Sequence, residues 1–113
     1  MATALVLSDP EATARREDFV ARAMAALTAR DLGAALELAE EAKKGGKESS
    51  VVQIEALAAA LGAEARAAAA NPDRAADVAA TRFGLALAAV HQLDGNASAQ
   101  LTLESMLIKM RAV

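Results

Sequence analysis

Hydrophobic residues recur along the chain at spacings of three and four positions, the period of an amphipathic α-helix. Gly, Asn, Asp and Pro interrupt this pattern at intervals and mark the ends of helices. The sequence therefore predicts five helices joined by short turns, over residues 10–30, 31–44, 50–70, 72–93 and 97–112. Because the first two are joined almost directly, we expect them to form an antiparallel hairpin.

The same spacing predicts which side each of the first four helices buries. The predicted stripes are Val20, Ala23, Met24 and Leu27; Leu32, Ala35, Leu36 and Ala39; Ile54, Leu57, Ala58, Leu61 and Ala65; and Ala79, Phe83, Ala86, Val90 and Leu93. Gly84 interrupts the fourth helix, where glycine costs about 1 kcal/mol relative to Ala. Close approach of a neighbouring helix is the expected reason for a glycine there.

Capping residues predict where the helices begin. Ser8 with Glu11 has the spacing of a capping box, and Asp9 followed by Pro10 is an alternative start for the first helix. The third helix is predicted to begin near Ser50, which has Gln53 at capping distance, and the fourth at Asn71-Pro72. Asn96 or Ser98 would cap the fifth helix.

The last predicted helix carries two apolar stripes. Leu103, Met106, Leu107 and Met110 cluster on one side. Leu101 and Ile108 lie about 150° away at 100° per residue. A surface helix needs one apolar stripe. The helix is therefore either central in the bundle or in contact with another protein through its second stripe.

Composition places the chain in the all-α class as one compact helical domain spanning residues 1–113. Alanine supplies 33 of the 113 residues, and Leu, Glu, Arg and Lys supply much of the rest, all strong helix formers. Residues 1–8 form a leader whose order the sequence leaves open, without the basic and apolar regions of a signal peptide. We expect a cytoplasmic protein.

Site chemistry is sparse, and we expect no catalytic, cofactor-binding or metal-ligating residues and no enzyme activity. The chain has no Cys and one histidine, His91, which we interpret as a surface residue. Gly46-Lys47 is followed by Glu48 instead of Ser or Thr, so it does not match a phosphate-binding loop. The carboxylates fall on predicted solvent faces and in capping turns, where burial would not shift their pKa values as a catalytic acid–base pair requires.

Charge and hydropathy also restrict the partners. The formal net charge is −3, and the basic clusters Arg15-Arg16 and Lys43-Lys44 with Lys47 are small and fall on predicted solvent faces and turns. Such a balance argues against holding nucleic acid by charge. No apolar run reaches the roughly 18 residues of a membrane helix. We expect no direct contact with nucleic acid, no membrane contact and no small-molecule substrate.

The segment Gly95–Met110 resembles the final helix of bacterial clamp-loader subunits, most closely the C-terminal collar domain of the DNA polymerase III delta-prime type. That family has Asn, a short gap, and then Leu-x-Leu-Glu-x-x-Leu. The matching residues are Asn96, Leu101, Leu103, Glu104 and Leu107, with Ile108 and Met110 continuing the apolar pattern. Residues 75–93 and 30–36 are similar to earlier helices of the same domain, so the resemblance extends over about residues 11–112.

The resemblance implies a bundle of about five helices and a role in DNA replication. Collar domains pack in a ring that holds the loader pentamer together while it loads the sliding clamp. Implied partners are the delta and gamma/tau subunits. The gamma/tau subunit has a related collar, so delta-prime and gamma/tau identity stay open. Related subunits carry two further N-terminal domains, and ATP handling, a zinc ribbon and clamp contact are not expected of this chain.

We expect the second stripe of the last helix to lie toward a subunit interface. The candidate interface residues are Asn96, Gln100, Leu101, Glu104, Ile108 and Arg111. The alternative is a free-standing helical scaffold of tetratricopeptide-like hairpins, for which residues 31–44 have some likeness. However, no period near 34 residues recurs.

Overall fold

The computed structural model describes residues 10–70 and 74–113. Within those ranges the chain forms five helices, and the predicted all-α bundle is confirmed. The helices are α1 (Pro10–Thr28), α2 (Gly33–Gly45), α3 (Lys47–Ala68), α4 (Arg74–Asp94) and α5 (Ala99–Arg111). The Cα radius of gyration is 14.1 Å, near the roughly 13 Å expected of a folded domain this long.

The first two helices form the predicted antiparallel hairpin. α1 ends at Thr28, two residues before the predicted end, and α2 begins at Gly33 instead of Asp31. The Asp31 carboxylate accepts a 2.9 Å hydrogen bond from the backbone N–H of Gly33, which satisfies one of the unpaired donors at the start of α2. Across the hairpin the guanidinium of Arg22 makes two hydrogen bonds to the carboxylate of Glu41.

The third helix begins earlier than predicted, at Lys47, and Ser50 does not cap it. Gly46 has a φ of +88°, which turns the chain sharply between α2 and α3. Ser50 is buried, and its hydroxyl donates a 2.9 Å hydrogen bond back to the Gly46 carbonyl. A left-handed glycine is therefore what allows α3 to begin directly after α2.

The fourth helix returns along α3 through a short connection, and together they make the most extensive helix contact of the described chain. The expectation for Gly84 was wrong, because Gly84 is exposed and a β-carbon there would meet no atom within 4 Å. The close approach occurs instead at Gly62 on α3. A β-carbon at Gly62 would lie 3.3 Å from Cε1 of Phe83.

The fifth helix packs antiparallel to both α4 and α2. Asn96 takes a left-handed conformation with a φ of +70°, and this ends the turn after α4. Ser98 caps α5 by accepting a 3.3 Å hydrogen bond from the Leu101 N–H, which decides between the two predicted caps. Lys47 at the start of α3 donates to Asn96 at 3.4 Å, so α5 begins beside the end of α2.

Alanine forms much of the core. Among the described residues, nine of the twenty buried hydrophobic side chains are alanines, and the largest fully buried ones include Ile54, Leu57, Leu61, Leu93 and Leu107. The predicted stripes of α1, α3 and α4 face this core, with Val20, Met24, Phe83 and Val90 packed against it in part. Ala65 on α3 is half-buried.

The predicted stripe of α2 was wrong in phase. Ala35 and Ala39 are buried as expected, but Leu32 and Leu36 are about 40% exposed. Leu38 and Ala42 take their places in the core. The two stripes have the same spacing and differ by three positions. The α-helical period alone therefore permits both, and packing selects one.

Some sequence expectations lie outside the described residues. These are the leader over residues 1–8, the Ser8 or Asp9 start of α1, and the Asn71-Pro72 start of α4. Within the described helices, none is long and apolar enough to cross a membrane.

Candidate assembly surface

The two sides of α5 differ sharply in burial. Leu103, Met106, Leu107 and Met110 are each at most 3% exposed, which confirms the predicted inner stripe. On the other side, Leu101 is 65% exposed and Ile108 is 39% exposed. The helix is therefore covered on one side by its own chain and carries uncovered aliphatic side chains on the other.

Two neighbouring helices account for the covered side. α5 packs against α2 and α4, and its last turn meets the end of α1. Leu101 and Ile108 are seven positions apart, nearly two full turns, so they lie on one line along the helix. This line points away from the buried stripe. We call Leu101 and Ile108 the outer face of α5.

Leucines of α2 are also exposed, although the sequence pattern had placed them in the core. Leu36 lies three residues after the start of α2, and Ile108 lies three residues before the end of α5. Because the two helices run antiparallel with matched ends, Leu36 and Ile108 stand at the same level of the pair. Leu32, at the start of α2, is also exposed. The alternative stripe of α2, from Ala35 to Ala42, is also spaced at three and four positions. It was the sequence signal that could have predicted the exposure of Leu32 and Leu36.

The polar members of the predicted interface lie around this face. Gln100 and Glu104 are half-buried along the flank of α5. Asn96 is exposed in the turn before the helix, where its side-chain oxygen accepts from Lys47. These residues form a polar margin beside Leu101, an arrangement typical of protein interfaces.

Arg111 points away from the outer face and binds within its own chain. Its Nη1 donates to the carbonyl oxygens of Ala26 and Ala29, at 2.5 and 2.8 Å. These carbonyls belong to the end of α1, where backbone acceptors have no partner in the helix and the helix dipole favours a cation. The structure thus uses Arg111 to join α5 to α1.

A second arginine reaches the same end of α5. Arg82 on α4 donates through Nε to the carbonyl oxygen of Met110 at 3.1 Å. Met110 is in the last turn of α5, and its carbonyl also accepts a 3.4 Å hydrogen bond from the backbone N–H of Val113. The sequence offered no periodic signal for this contact, since Arg82 reads as one more surface charge of α4.

Other charged groups of the described chain pair with each other or lie in solvent. The Arg22 guanidinium holds the pKa of the Glu41 carboxyl below its ordinary value, mainly through their hydrogen bond, and Glu41 in turn raises the pKa of Arg22. This pair lies beside a groove formed by α1, α2 and α3 over Phe19 and Ala42. No group of three or more acidic or histidine side chains within the described ranges is placed to hold a metal ion.

Two further exposed aliphatic residues lie elsewhere. Val52 is on α3 and Leu87 is on α4, 45% and 50% exposed. Neither was predicted as a surface residue of note, and each lies on a different helix from the outer face. Leu87 is useful as a reference, because it has the chemistry and exposure of Leu101 without its position.

Comparisons of this chain with family models, with curated proteins and with solved structures gave no match.

Proposed function

We propose that this chain is a non-catalytic assembly module that docks onto another protein subunit through the outer face of α5. The observation that carries the proposal is the division of α5 into a buried stripe and an exposed aliphatic line, with Leu101 at 65% exposure. Single exposed leucines are common on proteins. Two on one line of a helix form a small apolar cluster of the kind found at binding surfaces. Leu36, at the same level of the neighbouring α2, is exposed as well.

The partner class follows from the resemblance of residues 95–110 to the last helix of clamp-loader collars. In that pattern Leu103 and Leu107 are the positions that this chain buries, and Leu101 is the position that it exposes. The core of this domain does not need a leucine at position 101. We propose that the outer face meets a sibling subunit of a DNA polymerase III clamp loader, of the delta or gamma/tau type.

The exposed aliphatic cluster is too small to form a stable interface without further contacts. A stable interface buries about 800 Å² on each partner, more than two or three aliphatic side chains supply. Leu101 and Ile108 would form the apolar centre of the contact. Gln100, Glu104 and the exposed start of α2 would contribute its margin.

The test is co-migration with purified delta and gamma/tau subunits from the same organism in size-exclusion chromatography. The native chain is compared with Leu101→Asp and Ile108→Asp, which place a charge in the centre of the outer face. Leu87→Asp is the matched control, because it makes the same change at an exposed leucine on α4. We expect the native chain and the Leu87 variant to co-migrate and both α5 variants to elute alone.

Equal co-migration of all four proteins would place the contact elsewhere and refute the role of the outer face. If Ile108→Asp unfolds the chain, as seen by loss of helical circular dichroism, the residue belongs to the core. Absence of any complex would favour the second hypothesis, a free-standing helical scaffold. The parent reading frame tests this independently, since a collar domain follows an ATPase-like region.

A further inference from the structure

A helix with two apolar sides has a rotational ambiguity. Turning α5 by about 150° about its axis would bring Leu101 and Ile108 toward the core and turn Leu103 and Met110 outward. The hydrophobic effect is not directional. It favours burial of the stripe with more apolar surface, but it does not by itself fix the rotation of α5. Directional polar contacts, where present, select one arrangement.

Such contacts are concentrated at the last turn of α5. Arg111 donates from α5 to the Ala26 and Ala29 carbonyls of α1. Arg82 donates from α4 to the Met110 carbonyl of α5. Together these two arginines join three helices at one point, and both are half-buried. We call this set of contacts the arginine clamp.

The clamp has the geometry needed to fix rotation. The Arg111 side chain leaves α5 about 40° from Leu107 and about 60° from Ile108 around the axis. While its guanidinium holds the end of α1, Leu107 stays inward and Ile108 stays outward. Rotation that buried Ile108 would move the guanidinium away from both carbonyls.

We propose that Arg82 and Arg111 are positioning residues that set the rotation of α5 and so determine which stripe it presents. The structural part of this inference stands on the clamp contacts. Its consequence for partner binding rests on the proposed assembly function. Arg111, a candidate interface residue by sequence, would then act on the interface through the orientation of α5.

The absence of Cys from the sequence allows a direct test with introduced thiols. Leu101→Cys places a reporter on the outer face, and Met106→Cys places one on the buried stripe. Each is reacted with the aromatic disulfide of Ellman's reagent in the native background and with Arg82→Met, Arg111→Met or both. Methionine keeps much of the apolar stem of arginine and removes the donors.

In the native background we expect the thiol of Leu101→Cys to react quickly and that of Met106→Cys to react slowly. Loss of the clamp should raise the reaction rate at position 106 at least tenfold and lower the rate at position 101, because the rotation that exposes one stripe covers the other. Arg111→Lys, which retains a cation that can donate to the α1 carbonyls, should restore part of the protection. Arg30→Met removes an exposed arginine next to the same turn and should have no effect.

General destabilisation is separated from repositioning by Ile54→Val, a change in the buried core of α3. Urea unfolding of every variant gives the global equilibrium, and the rate at position 106 is compared with it. In a clamp variant, the thiol at position 106 should react faster than expected from the fraction of globally unfolded protein. If its rate follows global stability as Ile54→Val does, or does not change, the positioning role is refuted. Single variants are used where the double variant fails to fold.

The same variants distinguish this inference from the proposed function. Clamp variants that are folded but mispositioned should also lose co-migration with the delta and gamma/tau subunits. If the thiol rates change in the clamp variants while Ile108→Asp still associates with the subunits, the proposed assembly surface is wrong and the positioning role remains. If Ile108→Asp abolishes association and the thiol rates do not respond, the reverse holds.

Discussion

The ring of Phe83 on α4 lies against the backbone of Gly62 on α3, at a distance that a β-carbon would reduce to 3.3 Å. The two helices meet here because position 62 has no side chain. Gly84, one residue after Phe83, faces open space. The contact between α3 and α4 therefore needs a glycine at position 62 and does not need one at position 84.

We predict that Gly84→Ala stabilises the domain by about 0.5–1 kcal/mol, because it removes the helical cost of glycine without a clash. Gly62→Ala should gain less or lose stability, since the Phe83 ring must move by a few tenths of an ångström. Urea denaturation followed by circular dichroism gives both values. Equal stabilisation at the two positions would contradict the close contact between Gly62 and Phe83.

The two sides of α5 should respond differently to truncation. Leu103→Ala removes a side chain that is 1% exposed, and it should cost about 2–5 kcal/mol of unfolding free energy. Leu101→Ala changes a residue in solvent and should stay within about 0.5 kcal/mol of the native value. A large loss for Leu101→Ala in the isolated chain would show that this chain itself covers the outer face.

The cap of α5 should make a modest contribution. Ser98→Ala removes the acceptor for the Leu101 N–H and should cost about 0.5–1 kcal/mol, the lower part of the usual range, because the hydrogen bond is 3.3 Å long. Ser105→Ala, in the middle of the same helix, is the control and should cost less. Thermal unfolding of the three proteins compares them. A larger loss at position 105 would contradict the capping role.

The Arg22–Glu41 pair should give a small dependence of stability on pH. The folded pKa of Glu41 lies below its ordinary value of 4.5. Its contribution is therefore complete above pH 4.5 and is lost as the pH falls through the folded pKa. Both side chains are well exposed, so solvent screening limits the contribution to about 0–1 kcal/mol.

Glu41→Gln measures this contribution. Its destabilisation should be present at pH 7, should shrink in high salt, and should vanish toward pH 2. Glu40→Gln, the neighbouring residue on the exposed side of α2, is the control. A Glu41 effect that persists unchanged at pH 2 would contradict its electrostatic origin.

Much of the fold was predictable because helix ends and long apolar stripes depend on local chemistry. The stripe of α3 from Ile54 to Leu61 and the inner stripe of α5 are found as predicted. The phase of α2 was not predictable. Alanine and leucine alternate there in a way that fits the helical period twice, and only contact with α1, α3 and α5 decides that Leu38 is buried and Leu36 is not.

The same distinction holds for the candidate site. The opposition of Leu101 and Leu103 on α5 follows from 100° per residue and needs no coordinates. The clamp made by Arg82 and Arg111 joins residues 28 to 85 positions apart in the chain. Such contacts have no period, so sequence placed Arg111 with the surface residues of its own helix.

By itself, then, the sequence determined a helical chain with an alanine-rich core and a last helix that is apolar on two sides, because backbone propensity and side-chain periodicity act within a few residues. Tertiary structure alone decided which glycine allows close helix approach, which leucines of α2 stay in solvent and where the arginines bind. Those outcomes depend on the distances between helices, which local chemistry does not set.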